Sequence, residues 1–82
     1  MRYAEQLRAA RALLGWTQDQ LAAQSGVGIA TIRRMEAQNG PIRAISDTVW
    51  RLQSALERAG VVFFSEDGTH GPGVRLAGVP KS

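Results

Sequence analysis

The sequence has no cysteine, one histidine, one lysine and only 6% aromatic residues. Without cysteine there can be no disulfide, no thiolate metal site and no thiol nucleophile. A reducing compartment suits such a chain. The single histidine, His70, lies in a glycine-rich stretch with no second ligand at metal spacing, so neither a metal nor another cofactor is expected. No apolar run approaches the ~20 residues of a membrane span. The N-terminal stretch also lacks the apolar core of a signal peptide, and a cytoplasmic protein without membrane contact is expected. Ser65, Glu66 and Asp67 have no base or orienting group beside them in the sequence. The stretch from Gly68 to Gly73 lacks the Lys-Ser/Thr ending of a phosphate loop. A chain of 82 residues buries only a modest core, which leaves little room for an enzyme pocket. No enzymatic activity is expected.

What is present is a globular composition with a mild basic excess. Apolar residues make up 44%, and the formal net charge is +3. Nine of the ten basic residues are arginine. The planar guanidinium fork fits phosphate oxygens and guanine edges in a way that an ammonium does not.

Residues 3–14 read as an amphipathic helix, with Leu7, Ala10 and Leu14 on one face. Gly15 stands where a left-handed C-cap is expected. Thr17 and Gln20 have the spacing of a capping box opening a second, short helix that carries Leu21 and Ala22 and ends at Gly26. A third helix is predicted from about 28 to 38, with Ile32 and Met35 facing inward and Val27 and Ile32 forming a hydrophobic staple. After the breaking segment 39–45, Ser46 is expected to cap a fourth helix, with Asp47 in its first turn and Val49, Leu52 and Leu56 on its inner face. Gly60 should stop it. Trp16 is expected at the corner between the first two helices. Residues 61–66 and 73–77 then read as a β-hairpin, and 78–82 as a frayed tail.

Two short helices joined by a tight turn suit DNA, because the first braces on the backbone while the second lies in the major groove. The stretch from Thr17 to Glu36 resembles the helix-turn-helix of the Cro/C1-type (XRE) family of bacterial and phage regulators. Thr17 and Gln18 match the opening of the second helix, Leu21 and Ala22 its interior, and Gly26 the turn. Ile32, Met35 and Glu36 match the third helix. Gly28 departs from the pattern, since the family usually has Ser or Thr there. The resemblance implies a mainly α fold, with a four-helix domain over 1–60 (the motif itself at 17–38) and a short C-terminal hairpin and tail over 61–82.

It also implies a function, that of a sequence-specific regulator binding double-stranded DNA, expected to be a repressor. Ile29, Ala30 and Arg34 match the positions that face the bases. A thymine methyl suits an isoleucine that would otherwise be exposed, and a guanine edge suits Arg34. Gln18, Gly28, Thr31, Arg33 and Arg43 are the candidate phosphate contacts, and Gln18 gains from the free amides of a helix start. Glu36 is assigned a structural part, pairing locally with an arginine.

An isolated two-stranded ribbon is marginal in water. Val61 and Phe63 alternate with Val62 and Phe64, so both faces are apolar. One face can lie on the end of the fourth helix near Leu56 and Ala59. A second copy of the chain is expected to cover the other, making the hairpin a dimerisation element. Val62, Phe63, Phe64 and Trp50 are the candidate dimer contacts, although Trp50 could instead staple onto Ile45. A second reading is an antitoxin-like or adaptor protein that grips a partner such as a toxin through Phe63, Phe64 and Trp50.

Overall fold

The computed structural model describes residues 1–78, so most of the expected tail lies outside the described residues. Among the described residues there are four helices and one two-stranded antiparallel sheet. The helices are α1 (Ala4–Leu14), α2 (Gln18–Ser25), α3 (Ile29–Glu36) and α4 (Ser46–Arg58); the strands are β1 (Val61–Phe64) and β2 (Gly73–Leu76). This is the mainly α fold with a C-terminal hairpin that the sequence predicts. No described helix is long and apolar enough to cross a membrane.

The helix ends follow local chemistry. Gly15 closes α1 at φ 66°, and Gly26 closes α2 at φ 72°, both in the left-handed region where a side chain would be strained. Thr17 Oγ1 accepts from the Gln20 amide at 3.1 Å, and Gln20 Oε1 accepts from the Thr17 amide at 2.7 Å, completing the capping box. One boundary differs from expectation. Ser46 is the first helical residue of α4, and Ile45 occupies the cap position with no side-chain hydrogen bond. Ile45 and Trp50 are 77% and 67% exposed, so the expected staple between them covers neither.

Leu7 and Ala10 of α1, Leu21 of α2, Ile32 and Met35 of α3, and Leu52 and Leu56 of α4 make one buried cluster with Val27 and Val61. Val27 and Ile32 are both in it, as a staple across the start of α3 requires. Trp16 and Ala22 pack against its edge.

The hairpin belongs to this core. Val61 pairs with Leu76 and Phe63 with Val74, and these four residues turn inward onto α1 and α4. Phe63 is therefore a core-facing residue, which corrects its place among the candidate dimer contacts; Val62 and Phe64 are the outward members of β1. Both strands are shorter than expected. Beyond Phe64, Glu66 turns away to accept hydrogen bonds from Arg2 Nη1 and Tyr3 Oη, each at 2.9 Å.

Gln6 fastens the hairpin to α1. This buried side chain accepts from the amides of Arg2 and Tyr3 at 2.8 and 3.0 Å. It donates to the carbonyls of Phe64 and Gly73 at 2.9 and 3.1 Å, one on each strand. A chain ending at Gly60 would leave the α1–α4 side of the core open to water. It should lose the cooperative thermal transition followed by circular dichroism. A truncated chain that melts like the full-length protein would show the hairpin to be a mere appendage.

Candidate nucleic-acid interface

The path from α2 into α3 is set by two residues. Gly26 supplies the left-handed turn, and the Ser25 hydroxyl accepts from the Val27 amide at 3.2 Å while donating to the Leu21 carbonyl at 2.7 Å. Gly28 is the cap residue of α3, with extended backbone (φ −62°, ψ 144°) and no side chain to satisfy the first amides. Those amides point outward from the start of the helix, where an anion is favoured.

Burial sorts α3 into two faces. Ile32, Met35 and Glu36 are buried, while Ala30, Arg33 and Arg34 are exposed. Ala30 and Arg34 are four apart and share the outer face. Ile29 does not join them as expected: it stands about 140° from Arg34 around the helix, and it is half-buried rather than exposed. Its side chain borders the outer face at the tip of the helix, and Arg33 lies on its side of that face.

The inner end of α3 is held by α1. Arg11 Nε and Nη2 donate to the two carboxylate oxygens of Glu36 at 2.7 and 2.8 Å, a bidentate pair. Arg11 Nη1 also donates to the Trp16 carbonyl at 2.8 Å. One turn earlier, Arg8 Nη1 donates to the carbonyls of Glu36 and Gln38 at 2.6 and 2.7 Å, covering acceptors that the end of α3 leaves open. Gln18 Nε2 donates to Glu36 Oε1 at 3.1 Å, which ties the start of α2 to the same carboxylate.

Glu36 therefore pairs with an arginine 25 residues away, rather than with its helical neighbours as expected. Arg8 and Arg11 were not singled out from the sequence. Their spacing of three on one helix places them on a common face, and that was the available signal. Burial works against ionising Glu36. Hydrogen bonds from Arg11 and Gln18, with the charges of Arg11 and Arg8, outweigh it and hold the carboxyl below the usual glutamate range.

The outer surface is different. Glu36 is the only carboxylate between Asp19 and Asp47, and it is buried. Over the same span Arg33, Arg34 and Arg43 are exposed, and among the described residues none has a carboxylate partner within ion-pair distance. Arg34 Nη2 lies 3.4 Å from Thr31 Oγ1. Arg34, Thr31 and Arg43 line one cleft of about 210 Å³ between α3 and the start of α4. Gln18, half-buried, lies across the motif at the start of α2. The fold thus gathers the expected phosphate and base contacts onto α3, its cap, the start of α2 and the following loop. Among the described residues, no group of three or more His, Cys, Asp or Glu side chains is placed to hold a metal ion. The His70 imidazole lies 3.5 Å from the Asp67 carboxylate within its own loop, and its backbone amide donates to the same carboxylate at 2.6 Å.

The Arg11–Glu36 pair gives a testable pH dependence. The folded pKa of Glu36 lies below the unfolded value of about 4.3. Its contribution is therefore complete above that value and is lost as pH falls through the folded one. At neutral pH, Glu36→Gln should cost about 3 kcal/mol in urea denaturation, because Arg11 keeps a largely buried charge without its partner. The gap between parent and variant should close in acid. A variant as stable as the parent at neutral pH, or a gap that persists below the glutamate range, would contradict this.

Comparison with known proteins agrees with the geometry. A family model described as helix-turn-helix matches residues 7–57, from within α1 to nearly the end of α4. Comparison with curated proteins gave no significant match. With the motif, its brace and the matched span in register, the chain belongs to the Cro/C1-type (XRE) helix-turn-helix family of DNA-binding proteins.

Proposed function

We propose that this protein is a sequence-specific transcriptional regulator that lays α3 in the major groove of double-stranded DNA and acts as a homodimer on a two-fold site. The observation that carries this reading is the outer surface of α3 and the loop after it, where Arg33, Arg34 and Arg43 have no carboxylate partner among the described residues and no exposed carboxylate lies from residue 20 to residue 46. Polyanionic DNA favours such a surface, and counterion release supplies the binding energy.

The roles follow from position. Ala30 and Ile29 lie in the first turn of α3, the part of a recognition helix that reaches the base edges, and both can meet a thymine methyl. Arg34, one turn on, takes guanine. Arg33 and Arg43 take phosphates on either side. The Gly28 amide, the Thr31 hydroxyl and the remaining N–H of Gln18 add neutral phosphate contacts. Gln18 donates from a side chain already held by Glu36, so it offers a pre-positioned group. A bound dimer blocks other proteins from the same DNA, and repression is the mode we assign.

Selection of bound duplexes from a random pool tests the reading. The expected result is a two-fold site with half-sites one turn, ~34 Å, apart; recovery of unrelated sequences would refute specificity. Against the selected site, Arg34→Ala should cost about 1–3 kcal/mol and relax preference at one base pair per half-site. An even loss across all sequences would assign Arg34 to phosphate instead. Arg33→Ala should weaken binding to every duplex evenly and flatten the dependence of log affinity on log salt by about one unit. An unchanged slope would show that its charge stays in water.

A further inference from the structure

We propose that Glu5 and Arg8, one turn apart on α1, are positioning residues for DNA binding: together they hold the backbone of the loop between α3 and α4 on the path that presents Arg43 to a phosphate. The inference deepens the DNA-binding reading and rests on it for the role of Arg43.

The loop has little apolar substance to hold it. Gln38, Asn39 and Gly40 follow the end of α3, and Gly40 turns the chain in the left-handed region at φ 82°. Ile42 packs against the core, while Arg43, Ala44 and Ile45 beyond it are exposed. Charged side chains of α1 make up the difference. The Gly40 amide donates to both carboxylate oxygens of Glu5 at 3.1 Å. Arg8, whose Nη1 serves the carbonyls of Glu36 and Gln38, reaches the Asn39 side-chain oxygen with Nη2 at 3.3 Å. Glu5 and Arg8 approach each other only to 3.9 Å. That is well beyond the ~2.7–2.9 Å of a strong charge-assisted bond, because each is directed at the loop.

Main-chain bonds complete the clasp. The Ala4 amide donates to the Gly40 carbonyl at 3.0 Å, and the Ile42 amide donates to the Arg2 carbonyl at 2.9 Å. Between them Tyr3 and Pro41 form an antiparallel bridge. Backbone groups of Glu36, Gln38, Gly40 and Ile42 are thus all tied to residues 2–8, and Arg43 is next in the chain. An exposed arginine on a tethered backbone loses less conformational freedom when it meets a phosphate than one on a free loop. Glu5 makes the idea sharp. It is an exposed acid on a protein that is to bind a polyanion, so charge alone says that removing it should tighten binding. Its hold on Gly40 says the opposite.

Fluorescence anisotropy with a selected duplex tests this on the full chain. Glu5→Ala takes away one negative charge, moving the formal net charge from +3 to +4. It should nevertheless bind about threefold to tenfold more weakly. Glu5→Gln carries the same charge as Glu5→Ala but keeps an acceptor oxygen for the Gly40 amide, and it should recover most of the loss. Arg8→Lys keeps the charge of the parent but lacks the fork that spans the carbonyls and Asn39, and it should also weaken binding. In an Arg43→Ala background, Glu5→Ala should add little further loss, as expected of residues that act as one unit. Thermal melting verifies that each variant is folded. Unchanged or tighter binding by Glu5→Ala would overturn the proposal, and so would a loss that persists in full without Arg43. Amide relaxation on the free protein separates the clasp from the DNA reading. Glu5→Ala should raise backbone mobility from Gly40 to Arg43. That result with a parent that binds no duplex would keep the clasp and refute the DNA reading alone. A loop as ordered in Glu5→Ala as in the parent would refute the clasp.

Discussion

Glu36 is 7% exposed at the end of α3, and a carboxylate in that position is stable only if its charge is met in full. Arg11 meets it with a bidentate pair, and Gln18 adds a third donor. Arg8 holds the backbone of the same turn. These contacts join α1, α2 and α3 at one point, so the angle of α3 is set by groups that cannot move without leaving a buried charge unmatched. Apolar packing of Ile32 and Met35 alone would fix the depth of α3 but tolerate sliding and rotation. The ionic brace removes that freedom, as the proposed reading of base edges by α3 requires.

The brace also divides the charges. Arg2, Arg8, Arg11 and Arg51 have carboxylate partners within the chain. Among the described residues Arg33, Arg34 and Arg43, on α3 and the loop after it, have none, and neither have Arg58 at the end of α4 and Arg75 on β2. A net charge of +3 looks weak for a nucleic-acid partner when spread over the whole surface. It is not spread evenly. Glu36, the one carboxylate between Asp19 and Asp47 in the sequence, is buried and paired with Arg11, so the outer face of α3 carries Arg33 and Arg34 without an acidic neighbour on the same helix.

The features legible in the sequence were those fixed by near neighbours. Gly15 and Gly26 occupy the left-handed caps, Thr17 and Gln20 close on each other, and Val27 and Ile32 meet across the start of α3, because each depends on residues a few positions apart. The hairpin was legible from β-branched and aromatic residues flanking a glycine-rich loop. Its role was not. Gln6 is polar on an inward face and bonds to residues 58 and 67 positions away, and no local pattern announces such a contact. The same holds for Arg11 and Glu36. Ile29 was misplaced for a different reason: helical period puts it nearer Arg33 than Arg34, and burial then decides how much of it is free. Ser46 looked like a cap, but a backbone one residue out of phase makes it the first helical residue.

In the proposed complex, DNA meets the arginine surface of α3 and its flanking loop. Titrating the isotopically labelled protein with a selected duplex, and following backbone amide shifts by NMR, tests it most directly. The largest changes should fall at Gln18, from Gly28 to Arg34, and at Arg43, while β1, β2 and the loop between them shift little. Changes concentrated in the hairpin loop, with the α3 amides unmoved, would contradict the account.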